Sequence, residues 1–326
     1  MKTEIKAFDE ATLGDAKMVV SEMFSPAVCP LLDKMLVNPL RKELGVSSAG
    51  EIAYQDGKPV AFQGALLRRL FIEQKPIIGV VGSSLCAKPE TSPVLLMNLM
   101  KATIKSRGGS ELFFANTSNP TSMKMNRLLG VKGVGPETCA KIRFDLTWVP
   151  PYFRLLCPRP NSKQIKSIDA KTFNSFWERY LADNRGVVCS RTAEELDWMF
   201  GEDLSSGKTV AFGEFKNDEL IGYVVIHSTH NSRRWMVFDW IALHDDKSVL
   251  KRLLVSAVRF VRRETKAVLF EMIGFSHAAD KIASCVIPFR RNARNNSYLW
   301  AFNNKETTIP TESWFFGPYD GDRCMI

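Results

Sequence analysis

Two acidic residues stand in stretches that are otherwise apolar or aromatic, and they are the candidates for acid–base chemistry. Asp239 lies within residues 237–241 and Glu271 within residues 270–272, each in a predicted strand. Burial penalises the charged form of a carboxylate, so a buried acid can serve as the proton acceptor in general base catalysis. Structural ion pairs hold buried acids as well. We predict Asp239, and after it Glu271, as the catalytic base, with a paired structural acid as the alternative.

Cysteine and histidine form no pattern typical of a metal site or a disulfide framework. The seven cysteines are scattered and include no C-x-x-C pair, which is the spacing common in zinc sites. His227 and His230 are three residues apart, but on a strand they would face opposite sides. We predict reduced thiols and no bound metal.

The formal net charge of +9 at pH 7 favours anionic partners. Nucleotide phosphates, tRNA and an acidic membrane surface all fit, although the basic residues are dispersed and the densest run, 290–294, is short. No apolar stretch approaches the ~18 residues that mark a membrane-spanning helix, and residues 1–10 contain no apolar signal region. We predict a cytoplasmic protein without a membrane span.

The order of predicted elements in the first half of the chain is repeated in the second half. In the first half, a hairpin at 52–65 precedes a strand from Ile77, an apolar-faced helix from Pro93 to Gly108 and a second strand before Asn119. Repetition of one order of elements indicates two copies of one module. The second copy comprises a hairpin at 209–226, a strand at 233–243, a helix at 247–265, a strand at 267–273 and a short helix at 276–282.

A proline-rich connection separates the two copies. Four prolines fall between Pro150 and Pro160, and proline can neither continue a helix nor pair in a central strand. We predict an N-terminal domain at residues 1–150 and a C-terminal domain at residues 161–326.

The order of hairpin, strand, loop, helix, strand and Asn-containing helix resembles that of the GCN5-related N-acetyltransferase (GNAT) superfamily. Residues 85–90 resemble the end of its fourth strand, and residues 119–131 resemble its Asn-x-x-Ala…Gly segment. Tandem modules also occur in the FemAB-type aminoacyl and acyl transferases. Similarity to tandem acetyltransferase-like proteins of bacterial surface-polysaccharide gene clusters rests on residues 116–124, 190–198, 287–291 and 314–322.

This resemblance implies an α/β (α+β) fold of two tandem acetyltransferase-like modules, each a mixed, mostly antiparallel sheet flanked by helices. It also implies acetyl-CoA or another acyl-CoA as the donor substrate, with no metal. The donor contacts that it implies belong to the first copy: Leu85, Cys86, Ala87, Thr91, Ser92, Val94, Asn119, Ser122 and Asn126.

The two copies differ at the loop that would hold the donor's pyrophosphate. Such a group needs several backbone N–H groups at a helix N-terminus. Thr91 and Ser92 of the first copy could add hydroxyl donors, with ordinary helix capping as the alternative. Asp245 and Asp246 of the second copy would repel phosphate. We therefore place the donor in the first copy and interpret the second as a substrate-side or structural module.

Two features of the superfamily are absent from the first copy. Its loop lacks the usual Arg and both glycines, and the position of a Tyr that often protonates the leaving thiolate holds Asn126. Because an amide cannot act as a general acid, these absences support an inactive scaffold in a biosynthetic complex as one alternative function.

The sequence predicts acyl transfer from an acyl-CoA to an amine of a sugar or another small metabolite, by direct attack in a ternary complex. Backbone N–H groups near residues 85–87 would stabilise the oxyanion. A small-molecule amine is thus the expected partner. A second alternative is an aminoacyl-tRNA-dependent transferase of the FemAB type, which the basic charge permits; only in that case do we expect a nucleic acid partner.

Overall fold

The computed structural model describes residues 2–105, 112–118, 120–130, 139–146, 162–184, 186–228, 233–274, 291–302, 314–315 and 319. The chain divides into two compact units. Unit 1 comprises Met1–Glu137, Asn296–Thr311 and Asp320–Ile326, and unit 2 comprises Thr138–Asn295 and Glu312–Tyr319.

The elements are numbered in chain order. The described helices are α1 (Leu13–Met23), α2 (Cys29–Leu36), α3 (Pro39–Glu43), α4 (Pro93–Lys105), α5 (Pro120–Leu128), α6 (Ala170–Asp183), α7 (Ala193–Ser205) and α8 (Lys247–Glu264). The described strands are β1 (Thr3–Ala7), β2 (Gly50–Gln55), β3 (Lys58–Ile72), β4 (Lys75–Ala87), β5 (Leu112–Ser118), β6 (Cys139–Asp145), β7 (Lys163–Ile165), β8 (Val187–Cys189), β9 (Thr209–Lys216), β10 (Glu219–Ser228), β11 (Arg234–Ala242), β12 (Leu269–Gly274), β13 (Arg291–Phe302) and β14 (Trp314–Phe315).

The strands of unit 1 lie in the order β1, β2, β3, β4, β5, β13. Neighbours are antiparallel except β4 and β5, which are parallel and are connected through α4. Strand β13 comes from near the C-terminus, and it pairs with β5 from Ser297 to Phe302. The first sheet is therefore completed by residues distant in sequence.

The strands of unit 2 lie in the order β7, β9, β10, β11, β12, β6. Only β11 and β12 are parallel along this series, and α8 connects them. A separate parallel pair joins β8 to β14. Both units thus place an antiparallel hairpin beside one parallel pair with a helical crossover, as the repeated order of elements predicts.

The predicted fold class is confirmed, since each unit is a mixed sheet flanked by helices. The crossover helix of unit 2 ends at Glu264, one residue before the predicted end. Strands β3 and β4 extend further than predicted, because they continue as a ribbon to a turn at Glu73 and Gln74. The helix predicted at 276–282 and the proline-rich connection lie outside the described residues.

Left-handed residues close the hairpin of each unit. Asp56 and Gly57 have φ angles of 50° and 78°, and Asn217 and Asp218 have φ angles of 50° and 61°. Two-residue type I′ turns require positive φ at both positions, which Asn, Asp and Gly adopt most readily. The local sequence therefore determines where each hairpin reverses.

The crossover helices bury apolar stripes against their sheets. In unit 1, Leu95 and Leu99 of α4 pack on Ala53, Val60 and Ala61. In unit 2, a larger cluster covers α8 and the strands beneath it, including Leu250, Leu253, Leu254, Val224, Ile226 and Val237. Burial of these stripes supplies the main driving force for holding each helix on its sheet.

Candidate functional site

The parallel strands β4 and β5 of unit 1 separate partway along their length. They pair over residues 79–81 of β4 and 112–114 of β5. Strand β4 then continues to Ala87 along β3, while β5 continues to Ser118 along β13. The described ladder contains no further β4–β5 pair, so the backbone groups along this gap need another partner. We call this gap the unit 1 cleft.

A β-bulge lies on β4 where the cleft begins. The β3–β4 register slips by one residue, so that Ser84 and Leu85 lie opposite Gln63 alone. Ser84 has a φ of 51°, in the left-handed region that is strained for a residue other than glycine. A bulge bends its strand and re-aims the residues beyond it, and bulges are frequent beside functional sites.

The backbone N–H of Ala87 faces the cleft. The N–H of Lys88 donates to the Val60 carbonyl oxygen on β3 at 2.8 Å. Successive residues of a strand direct their N–H groups to opposite edges, so the N–H of Ala87 is directed away from β3. A donor in this position can bind a carbonyl oxygen that enters the cleft.

The side chains of residues 85–87 are apolar or neutral. Leu85 and Ala87 pack against the apolar cluster beneath α4. Cys86 is 7% exposed, and burial raises the pKa of its thiol to about 12. Because the thiolate is the nucleophilic form, Cys86 at neutral pH acts as a small buried apolar residue. These three residues therefore supply the cleft with backbone groups and apolar surface.

The hydroxyl groups that precede α4 are engaged within the chain. Thr91 Oγ1 donates to the Val60 carbonyl oxygen at 3.1 Å, and Ser92 Oγ accepts from the Leu95 N–H at 3.1 Å. Pro93 has no N–H. The N–H of Val94 has no partner within the described chain and lies in the first helical turn, where anions bind. Helix capping thus accounts for the hydrogen bond that the Ser92 hydroxyl oxygen accepts in this structure.

Helix α5 carries a buried amide on the side that faces the sheet. Asn119 lies outside the described residues, and Ser122 falls in the first turn of α5. Asn126 is 2% exposed, and its Oδ1 has no hydrogen-bond partner in the described chain. Leu129, three residues later, packs against a cluster that contains Phe113. Residues three apart share a helix face, so Asn126 is directed towards the same surface of the sheet.

A second buried amide, Gln63 on β3, was missed in the sequence. Its side chain is 2% exposed, and its Oε1 has no hydrogen-bond partner in the described chain. A Cβ placed on Gly82 would lie 3.3 Å from Gln63 Nε2 and 2.7 Å from Phe113 Cζ. Since Gly82 is the first residue beyond the parallel pairing, Gln63 lies where the strands separate. The sequence signal that could have indicated Gln63 is that it is the one polar side chain within the apolar stretch 60–67.

Unit 2 contains a comparable separation of parallel strands. Strands β11 and β12 pair over residues 234–236 and 269–271, and a register shift marks a bulge at Phe238. The face beneath α8 is filled, however, by large apolar side chains of a single buried cluster: Ile226, Trp235, Val237, Trp240, Phe270 and Met272. In each unit, one residue follows the last regular pair before the bulge along the hairpin's second strand. This residue is Gln63 on β3 of unit 1 and Ile226 on β10 of unit 2.

A carboxylate occupies the start of α8. Asp246 Oδ1 accepts hydrogen bonds from the Ser248 N–H at 2.8 Å, the Ser248 hydroxyl at 2.6 Å and the Val249 N–H at 3.3 Å. The bond from the Ser248 hydroxyl, with those from the backbone, holds the pKa of Asp246 below its usual range. A phosphate at this helix N-terminus would meet a negative charge.

Removing this cap should destabilise the chain in a pH-dependent way. Asp246→Ala is expected to lower the free energy of unfolding by about 1 kcal/mol at pH 7. Because the folded-state pKa is lowered, the contribution of Asp246 is present above its unfolded-state pKa and is lost as the pH falls through the folded-state value. Urea unfolding at descending pH measures the difference. Asp246→Asn, which caps without titrating, should remain stable, and an Asp246→Ala variant as stable as wild type at pH 7 would contradict the assignment.

Asp239 forms a buried ion pair with Arg191. The carboxylate is 1% exposed and the guanidinium fully buried; Arg191 Nε donates to Oδ2 at 3.0 Å and Nη2 donates to Oδ1 at 3.0 Å. The Tyr223 hydroxyl donates to Oδ2 at 2.7 Å, and burial raises the pKa of Tyr223 well above its usual value. The sequence analysis did not identify Arg191 as a site residue, although it lies within the segment 190–198 that carried part of the resemblance.

The C-terminal segment completes this cluster within unit 2. The Tyr319 hydroxyl donates to the Ser190 carbonyl oxygen at 2.8 Å, and the Arg191 guanidinium lies 4.6 Å from the centre of the Tyr319 ring. Arg191 Nη1 also donates to the Cys189 carbonyl oxygen at 2.7 Å. Asp239 therefore lies in a network whose partners surround both ions.

Glu271 is likewise buried and paired. It lies at the end of the β11–β12 pairing and forms an ion pair with Arg234 of β11. The predicted site residues thus fall into two groups. Unit 1 holds Leu85, Cys86, Ala87, Thr91, Ser92, Val94, Ser122 and Asn126, and unit 2 holds Asp239 and Glu271.

Two properties of the described residues concern possible partners of the protein. No group of three or more His, Cys, Asp or Glu side chains within the described ranges is arranged to hold a metal ion. Among the helices described above, none is both long enough and apolar enough to cross a membrane.

Comparisons with known proteins rest on structure. No protein-family profile and no curated protein sequence matches the chain. A GCN5-related N-acetyltransferase from Anabaena variabilis superposes with a TM-score of 0.62 at 11% identity, covering 93% of this chain and 73% of that one. The N-myristoyltransferase of Saccharomyces cerevisiae, solved with bound myristoyl-CoA, gives a TM-score of 0.62 at 13% identity, covering 97% and 84% of the respective chains.

A tandem GNAT protein from the clavulanic acid biosynthesis pathway matches along its whole length. Its TM-score is 0.59 at 11% identity, and the match covers 94% of this chain and all of that one. Identities this low establish the fold alone. The chain therefore has the mixed α/β fold of the GNAT acyltransferases.

Proposed function

We propose that unit 1 binds an acyl-CoA and that the protein transfers the acyl group to an amine of a small molecule. The observation that carries this proposal is the separation of β4 from β5, with the Ala87 N–H facing the cleft and α4 beginning soon after β4 ends. The likeness to GNAT acetyltransferases and to N-myristoyltransferase supports the same reaction class. Acetyl is the first acyl group to test, and a sugar amine the first acceptor.

The residues of unit 1 fit the pantetheine thioester of an acyl-CoA better than they fit the phosphates of the coenzyme. Beyond Val81 the described ladder pairs β4 with β3 but not with β5. This edge of β4 and the Ala87 N–H suit an extended, amide-containing arm and a carbonyl oxygen. The N-terminus of α4 offers the Val94 N–H, and Lys88 beside it is paired with Glu22 at 2.7 Å. When bound, acyl-CoA would supply the activated acyl group, and these backbone groups would orient its carbonyl.

Unit 2 is the less suitable donor site. Asp246 already occupies the N-terminus of α8, and large apolar side chains fill the face beneath that helix. Charge repulsion at the N-terminus of α8 and the lack of space beneath that helix both oppose the binding of an acyl-CoA. We therefore propose a structural or acceptor-side role for unit 2.

Proton transfer is the step of the reaction to which the candidate residues are least suited. Asn126 has no acidic proton to give to a leaving thiolate. Asp239 and Glu271, our candidate bases, each lie in an ion pair with an arginine, which favours their structural alternative. We propose that the amine attacks the thioester carbonyl directly, so that the C–N bond forms as the C–S bond breaks, and that water carries the amine proton to the leaving thiolate.

Titration with acetyl-CoA tests the function directly. A ligand that binds only the native state should stabilise it by about 2.7 kcal/mol at 100 times its dissociation constant, so the unfolding midpoint should rise with concentration. NADPH, which has adenosine phosphates but no pantetheine, is the control and should give no comparable shift. If neither acetyl-CoA nor longer acyl-CoAs shift the midpoint, the scaffold alternative replaces this proposal.

A further inference from the structure

A cavity of about 420 Å³ lies between the end of α2 and the loop that follows α3 in unit 1. This volume falls within the range of pockets that bind small molecules. None of the predicted site residues lines the cavity, and no Asp or Glu does so either. Its walls combine apolar side chains with two cations: Leu36, Val37, Pro39, Val46, Arg41 and Lys42.

Arg41 brings a buried positive charge to this cavity. The residue is 6% exposed, and burial lowers the pKa of its guanidinium. Three of its five N–H groups donate to backbone carbonyl oxygens: Nε donates to Val46 at 3.3 Å, Nη1 to Leu36 and Nη2 to Ser47. The other two N–H groups have no acceptor within the described chain, so they are available to a ligand.

No carboxylate of the described residues forms an ion pair with Arg41. Asp9 and Glu10 act on its charge only from beyond ion-pair distance, and the Glu43 carboxylate instead accepts a hydrogen bond from Arg69 Nη2 at 2.6 Å. The carbonyl oxygens, one of them at the C-terminus of α2, offset part of the buried charge. A buried charge remains costly unless a counter-ion compensates it, so the cavity favours an anion.

Hydrogen bonds hold the walls of this cavity in place without a ligand. Asn38 Nδ2 donates to the Leu67 carbonyl oxygen of β3 at 2.9 Å, and Asn38 Oδ1 accepts from the Leu40 N–H at 2.9 Å. The Val46 N–H donates to the Arg41 carbonyl oxygen at 2.9 Å. Since these bonds already fix the loop, a ligand would lose little free energy to ordering the protein when it binds.

We propose that this cavity binds a small monocarboxylate with an apolar body. The single uncompensated charge of Arg41 matches one negative charge, and the planar guanidinium suits a carboxylate. The apolar walls suit a hydrocarbon body. Lys42, which is exposed and has no ion-pair partner among the described residues, adds attraction for an anion at the rim. This inference is independent of the proposed function, because the cavity shares no residue with the unit 1 cleft.

Calorimetric titration of the whole protein with sodium octanoate at pH 7 tests the proposal. Octanoate should bind with a dissociation constant of about 1 mM or lower, as expected for a ligand of this size. Octylamine has the same chain with the opposite charge, and acetate has the same charge without the chain. Each of these two controls should bind at least about tenfold more weakly, because each lacks one of the two groups that the cavity would recognise.

Substitution of Val37 locates the binding. Val37 lines the cavity and is 69% exposed, so a polar residue there should leave the fold intact. Val37→Asp adds a carboxylate that repels the ligand and competes for Arg41, and Val37→Asn is the matched control without the charge. Octanoate should bind at least about tenfold more weakly to Val37→Asp than to Val37→Asn.

Three results would each overturn the inference. Wild type that does not bind octanoate would leave Arg41 with a structural role alone. Octylamine, acetate or inorganic phosphate binding as tightly as octanoate would contradict the proposed ligand class. Equal octanoate affinity of Val37→Asp and Val37→Asn would place the ligand outside this cavity. Acetyl-CoA binding by Val37→Asp should equal that of wild type, so the outcome of this test and that of the proposed function can be told apart.

Discussion

Replacing Ser92 with Asp is expected to weaken acetyl-CoA binding by roughly 10- to 100-fold. The change copies into unit 1 the carboxylate that already occupies the N-terminus of α8 in unit 2, where Asp246 accepts hydrogen bonds from the Ser248 and Val249 N–H groups. Asp caps helices as well as Ser does, so α4 should remain intact. A negative charge within about 4 Å of a phosphate near the protein surface costs enough to produce a loss of this size, even after screening by salt.

Two comparisons isolate the effect of charge. Ser92→Asn keeps a capping oxygen of similar size without the charge, and it should bind acetyl-CoA nearly as wild type does. S-acetyl-pantetheine has no phosphates, so its affinity should not change in Ser92→Asp. Undiminished acetyl-CoA binding by a folded Ser92→Asp protein would place the phosphates elsewhere than at α4, and the choice of unit 1 would then rest on the unit 1 cleft alone.

Replacing Arg191 with Met is expected to destabilise the protein by about 3–5 kcal/mol, the usual loss when one partner of a buried ion pair is removed. The Asp239 carboxylate, which is 1% exposed, would keep the hydrogen bond from the Tyr223 hydroxyl but lose its charged partner. Chemical unfolding of wild type and Arg191→Met measures the loss. Arg191→Met/Asp239→Leu should recover most of it, since replacing both ions with apolar groups is often neutral.

The double variant also separates the two interpretations of Asp239. If Asp239 is structural, a folded Arg191→Met/Asp239→Leu protein should retain acetyl-CoA binding and acyl transfer. If Asp239 is a general base, the same protein should be stable but slower by about 100-fold or more, the usual scale for a lost general base. Equal stability of Arg191→Met and wild type would show that the ion pair contributes little to folding.

The sequence by itself determined the elements and their repetition. The apolar residues of α4 and α8 recur at helical spacing, and Asp56-Gly57 and Asn217-Asp218 favour the turns that close each hairpin. These features depend on residues within one turn of helix or one hairpin, so a local pattern is sufficient to predict them. The order of such elements was then enough to predict two α/β modules and to indicate the GNAT fold.

Several features of the candidate site were decided by tertiary structure alone. The partner of Asp239 is Arg191, 48 residues away, and the Thr91 hydroxyl donates to Val60, 31 residues away. Strand β13 returns from the end of the chain to complete the first sheet. In the sequence, Gln63 is an ordinary polar residue of a strand. Only the structure shows that its side-chain oxygen is buried.

The physical reason is that hydrogen-bond satisfaction is a property of surroundings and not of sequence position. A carboxylate, hydroxyl or amide has the same local pattern whether its partner is another side chain, the backbone, water or a ligand. Which of these it meets depends on contacts between elements far apart in the chain. The sequence could therefore indicate Asp239 as a buried acid, but only the packed structure shows an arginine beside it and a buried Gln63 oxygen with no hydrogen-bond partner in the described chain.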